Sequence, residues 1–242
     1  MGYLEAVVVI YLRALYYPGG FQFPLVPMDH SLAAIEFWRE AATLVMLAGV
    51  GFLFGRTRTQ RLAGFLYSFA IWDLCYYLFL KIALDWPESV FTWDILFLIP
   101  VPWVGPVLAP CILSVTMIAL AAVLYNQATT RVDSSIRRAE SWLLTFGSLV
   151  VIASFIWGYV RYVLRHNASL WNLSSQSDLF AEAMTYVPRH FNWPLFIAGE
   201  LLLAWAVYRI ACYKSRKPVI SPKTTSARRT ESESFADYLN AL

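Results

Sequence analysis

Residues 92–110 read TWDILFLIPVPWVGPVLAP, a run as apolar as a membrane span that nonetheless carries Pro100, Pro102, Pro106 and Pro110. Each proline removes a backbone donor and turns the residue before it away from helical geometry. A helix cannot run through that spacing, and lipid does not accept irregular backbone with unsatisfied groups. The run therefore predicts a broken or re-entrant segment, shielded by neighbouring helices, that leads into a regular span from about residue 106 onward.

The rest of the chain agrees with a bilayer as solvent. Of the 242 residues 59% are hydrophobic and 14% charged, whereas soluble domains hold about 45–50% apolar and about 25% charged residues. Four further apolar runs flank the proline segment and its span. The spans expected are Leu32–Phe54, Leu62–Leu84, Val107–Tyr125, Trp142–Leu164 and Phe191–Tyr213. The fold class is all-α, a polytopic transmembrane helix bundle of five spans over residues 31–213. A sixth is present if the first helix also crosses. That helix, residues 3–17, is roughly 22 Å long at 1.5 Å per residue, short of the ~30 Å hydrocarbon core. Residues 1–30 are accordingly expected to form an outer interfacial helix, flanked by Tyr3, Tyr16 and Tyr17, and a connector. Ser31 is the expected N-cap of the first span. A short amphipathic helical pattern recurs at Leu179, Phe180, Ala183, Met184 and Val187. Residues 214–242, rich in Ser, Thr, Lys and Arg, read as a disordered basic tail.

Charge sets the orientation. Arg56, Arg58 and Arg61, then Arg131, Arg137 and Arg138, then Arg209, Lys214, Arg216 and Lys217 alternate with the spans, while the opposite loops hold few basic residues, chiefly Arg165 and Arg189. By the positive-inside rule the tail is cytoplasmic and the 18–30 connector outside. Basic residues of the tail suit an anionic leaflet rather than nucleic acid. The partners expected are the lipid bilayer and other membrane proteins, and the location a plasma membrane of the bacterial inner-membrane kind.

Ionisable residues within spans are costly, about 2.5–3.5 kcal/mol each on insertion scales, so they face the bundle interior and find partners. Nearly all of them fall in the outer half of the bundle on this topology: Glu36, Arg39, Glu40, Lys81, Asp94 and Glu200, with Asp73 near the middle of its span; together with Tyr77 they form the candidate polar pocket. Two readings stand side by side. In one, Glu36 pairs with Arg39 at i,i+3 and Arg39 or Lys81 reaches Asp73, holding helices in register. In the other, the acids converge on an outward-opening cavity with Asp73 as proton carrier or general acid, hydrogen-bonded by Tyr76 or Tyr77. Asp94 is expected to cap a short helix over residues 95–99, or else to face Asp73 and Glu200 across a cavity.

Cys75, Cys111 and Cys212 fall in spans without metal-ligand spacing and read as small apolar residues. His30, His166 and His190 lie at outer span ends without helical i,i+4 pairing or an HExxH motif. No metal or cofactor is expected. The sequons at Asn167 and Asn172 fall on the outer side. Phosphate-binding glycine loops and nucleophile elbows are missing too. Three functions follow: a non-enzymatic membrane subunit or assembly partner, which the lack of a catalytic constellation favours; a proton- or ion-coupled transporter using Asp73 and Glu200; or an outer-leaflet enzyme acting on lipid.

Overall fold

The computed structural model describes residues 1–27, 29–99, 101–130, 136–166 and 185–213, without the side chains of His30 and His166. The expectations for the tail from residue 214, for most of the 179–187 pattern, and for the sequons lie outside them. Six helices run through the described residues: α1 Gly2–Tyr16, α2 His30–Phe54, α3 Arg58–Leu84, α4 Leu108–Thr130, α5 Arg138–His166 and α6 Trp193–Cys212. All but α1 are long and apolar enough to cross a bilayer.

Helix ends follow local chemistry. Thr57 accepts from the Gln60 amide at 3.2 Å while the Gln60 side chain accepts from the Thr57 amide at 3.2 Å, a reciprocal cap that starts α3 at Arg58 rather than Leu62. The arginines of that turn belong to the helix: Arg61 stacks over Phe52, 3.9 Å from the ring centre, and donates to the Gly55 carbonyl at 3.1 Å. The cap residue of α2 is Asp29, not Ser31, whose hydroxyl instead donates to the Asp29 carboxylate. Asn192 caps α6 by accepting from the Leu195 amide at 3.2 Å.

The proline segment is a β-hairpin. Strand β1, Trp93–Phe97, pairs antiparallel with β2, Trp103–Pro106, opposing Asp94 to Gly105 and Ile95 to Val104, with an irregularity between Ile95 and Phe97. The expected short helix over 95–99 is not formed, and Asp94 is a strand residue. The physical reason is donor economy. Pro102 and Pro106 forbid helix, and cross-strand pairing satisfies the backbone groups they leave. The ladder continues through Val107 to the Thr92 carbonyl (3.0 Å) and Leu108 to the Val90 carbonyl (2.8 Å), which delivers the chain into α4. Pro110 then falls in the first turn of α4, where its missing N–H costs nothing.

The hairpin is packed into the bundle. Val104 shares a cluster with Tyr159 and Val163 of α5, and Trp103 stacks on Phe155 at 6.4 Å. Gly105 permits this approach, since a Cβ there would lie 2.8 Å from the Phe155 ring. Helices α5 and α6 meet equally closely at Gly199, where a Cβ would sit 2.9 Å from the Val151 amide nitrogen; close backbone approach is how apolar helices gain contact in lipid. Helix α1 runs beside the C-terminal half of α3: Gly2 abuts Cys75, Tyr3 meets Phe79 edge-on at 5.2 Å, and Ala6 joins a cluster with Tyr77, Leu80 and Trp86.

Candidate functional site

Around the hairpin, α1, α2 and α3 enclose a partly open cavity of about 140 Å³ whose polar lining is Glu5 and Arg13 from α1, Glu36, Arg39 and Glu40 from α2, Asp73, Tyr76 and Tyr77 from α3, and Asp94 from β1. The periodicity of each helix sets this convergence. Glu36, Arg39 and Glu40 recur at three- and four-residue steps on one face of α2, and Asp73 and Tyr77 at a four-residue step on α3.

Arg39 is the centre of one half. Its Nε donates to Glu36 at 2.8 Å, and its Nη1 is hydrogen-bonded to Glu5, tying α1 to α2. Glu40 beside it forms no ion pair among the described residues. Its carboxylate accepts the Leu98 amide, at 2.9 Å to one oxygen and 3.2 Å to the other, capping the backbone where β1 ends. The other half centres on Asp94, which is 3% exposed. Tyr77 donates to its Oδ2 at 3.2 Å, and the Arg13 guanidinium stands 3.7 Å from its Oδ1. That guanidinium also lies over the rings of Trp86 (3.7 Å) and Phe21 (4.7 Å), so α1 is held by charge and by π-faces at once. Asp73 accepts from the Ser114 hydroxyl at 2.8 Å, joining α3 to α4.

Six of the eight sequence candidates thus meet: Glu36, Arg39, Glu40, Asp73, Tyr77 and Asp94. Lys81 and Glu200 stand elsewhere. The Lys81 amine binds the Asp85 carboxylate at 2.7 Å and the Pro87 carbonyl at 3.1 Å, closing the C-terminus of α3 in solvent rather than reaching Asp73. That pairing also draws the exposed Asp85 carboxyl below its ordinary value. Glu200 accepts from Thr116 at 2.8 Å. Thr116 is two residues from Ser114 on α4, about 200° round the helix, so Glu200 and Asp73 lie on opposing faces of α4. Tyr77 serves Asp94 and not Asp73. Glu5 and Arg13 were not among the candidates, although two ionisable residues about 80° apart on a short apolar helix are a legible signal.

At the opposite end of the bundle, buried Glu140 receives Arg137 (3.0 Å from Nε) and Arg209 (3.1 Å from Nη2), locking α5 to α6. Among the described residues no group of three His, Cys, Asp or Glu is placed to hold a metal.

Five apolar helices of spanning length define the class: a multi-pass membrane protein. Compared with family models, curated proteins and solved structures, the chain gives no match.

Proposed function

We propose that the protein is a non-enzymatic membrane component, a small bundle that associates with other membrane proteins as a subunit or assembly partner. One observation carries this: the acids of the cluster are engaged in bonds between elements. Glu5 joins α1 to α2, Asp94 joins β1 to α1 and α3, Glu40 joins α2 to the hairpin, and Asp73 joins α3 to α4. A general acid or base has to be free to exchange a proton with substrate, and a nucleophile needs a base within hydrogen-bond reach. Four of the five acids of this cavity, all but Glu36, instead act as bonds between elements, each worth about 0.6–2 kcal/mol in lipid. Large apolar side chains remain outward on α2, with Trp38 and Val45 70% and Leu53 85% exposed, a surface that suits lipid or another helix.

On this reading the C-terminus is cytoplasmic and the cavity faces the outer leaflet, which the arginine-rich turns at 56–61 and 137–138 support through the positive-inside rule, and the membrane is a plasma membrane of the bacterial inner-membrane kind. The test is Asp73→Asn with Glu200→Gln, followed by thermal unfolding and by crosslinked co-purification from the native membrane. The reading expects altered stability or association. Normal folding and intact partners together with loss of a catalytic turnover would overturn it.

A second reading has its own observation. Five carboxylates in the cavity face two guanidiniums, and neither Glu40 nor Asp73 is in an ion pair among the described residues. That imbalance suits protons or a small cation as ligand, with Asp73 and Glu40 rather than Asp73 and Glu200 as carriers. Flux in proteoliposomes that is indifferent to Asp73→Asn and Glu40→Gln excludes it.

A further inference from the structure

A second cavity, about 430 Å³, lies where the C-terminal end of α5 meets the chain entering α6. Its charged lining is Arg161, Arg165, Arg189 and His190, with Tyr162 and Tyr186 as walls, and no acidic residue lines it among the described residues. Arg161 and Arg165 share a face of α5 at i,i+4, and Arg189 and His190 come from the opposite wall. None of the four is in an ion pair among the described residues. Their neighbours on the same end of the bundle behave otherwise: Arg13 has Asp94, Arg39 has Glu5 and Glu36, and Lys81 has Asp85. This is also the end that the charge rule leaves poor in basic residues, yet four of them, Arg161, Arg165, Arg189 and His190, are gathered in one place.

The walls are built rather than incidental. Tyr186 is 7% exposed and packs its hydroxyl against Gly158, where a Cβ would stand 2.3 Å away, and the Tyr162 and Thr185 hydroxyls are 3.0 Å apart. Half-exposed Trp157 and Leu164 flank the site on α5, so apolar surface adjoins the cations. Guanidinium groups hold their charge, match phosphate oxygens in pairs and are weakly hydrated.

We propose that this cavity binds a phosphate-bearing anion, with Arg161, Arg165 and Arg189 as its ligands. The adjoining apolar flank fits the head group of an anionic phospholipid, and a soluble phosphate shares the same chemistry.

The full chain, purified in neutral detergent, is passed through nanodiscs of phosphatidylcholine doped with phosphatidylglycerol and re-extracted, and the retained lipid is counted by mass spectrometry. In parallel it is titrated with inorganic phosphate under tryptophan fluorescence. Preferential retention of phosphatidylglycerol, or saturable phosphate binding, supports the site, and which of the two occurs identifies the source. Arg161→Gln with Arg165→Gln weakens retention about fivefold per arginine, the effect of one cation at a lipid surface, whereas Arg161→Lys with Arg165→Lys keeps most of it and shows the fold intact. Equal retention of both lipids with no phosphate response overturns the proposal, as does a glutamine variant that behaves like the wild type. Binding that emerges only in Asp178→Asn with Glu182→Gln, which removes the two acids of the 167–184 stretch outside the described residues, overturns it too, since the arginines would then be neutralised by the chain itself.

Discussion

Replacing Arg13 by Met isolates the contact that fastens α1 to the hairpin. The guanidinium lies 3.7 Å from the Trp86 ring centre, 4.7 Å from that of Phe21 and 3.7 Å from the Asp94 carboxylate. Desolvated cation–π contact is worth about 2 kcal/mol, and removing one partner of a buried ion pair costs about 3–5 kcal/mol because the other charge is stranded. Methionine keeps much of the volume, so Arg13→Met is expected to cost about 3–5 kcal/mol, about 2 kcal/mol of it through the rings and the rest through the stranded Asp94 carboxyl. In an Asp94→Asn background the same substitution costs only the ring contribution, about 2 kcal/mol. Reversible unfolding in mixed micelles, followed by tryptophan fluorescence, measures all four corners of the cycle. An Arg13→Met penalty unchanged by Asp94→Asn would show that the arginine acts through the rings alone.

Glu40→Ala leaves the Leu98 amide without its acceptor and is expected to cost about 1–3 kcal/mol, while Glu40→Gln retains a carbonyl oxygen for it and costs less; hydrogen exchange at Leu98 reads the difference. Gly199→Ala pushes a methyl against the Val151 backbone and is expected to cost about 1–3 kcal/mol by thermal unfolding, whereas Gly49→Ala, with nothing within 4 Å, is neutral or slightly stabilising. Lys81→Ala breaks a solvent-exposed pair and should shift stability by less than about 1 kcal/mol. For topology, single cysteines at Arg58 and Arg138 in a Cys75→Ser, Cys111→Ser, Cys212→Ser background should resist an impermeant maleimide in intact cells, while one at Glu88 reacts; the reverse pattern inverts the assignment.

The five spans were legible because a run of about 20 apolar residues has one stable state in lipid. The exclusion of helix at 92–110 was legible from the prolines, but the pairing that replaces it was not. Apart from Asp94, WDILF and WVGP are apolar on both faces, so the period-two alternation that marks a half-solvated strand is absent. The site was legible in depth and not in azimuth. Position along a span places Asp73, Lys81 and Glu200 at a level, yet only packing decides which side of α4 each one meets. Asp73 takes Ser114 and Glu200 takes Thr116, and a separation of two residues sends them apart. Glu5 and Arg13 escape a reading of α1 by length alone, since only its packing on α3 brings Glu5 to Arg39 of α2 and Arg13 to Asp94 of β1.

The hairpin and the buried charges are two aspects of one physical problem. Backbone that leaves helical geometry inside an apolar bundle exposes donors that neither lipid nor leucine can satisfy. Cross-strand pairing takes care of β1 and β2, but the turn between them begins at Leu98, and its amide is met by Glu40, a side chain that has to be inserted at the cost of a polar group in the span. Asp94 likewise stands where the strand abuts α1 and α3, and it fixes both through Arg13 and Tyr77. Removing the acids without straightening the proline segment would orphan backbone groups; straightening it without removing the acids would leave unpaired carboxylates in the bundle. On this account Glu40→Leu should be destabilising in the native chain, and should cost less once Leu98 is part of a variant hairpin with an acceptor of its own.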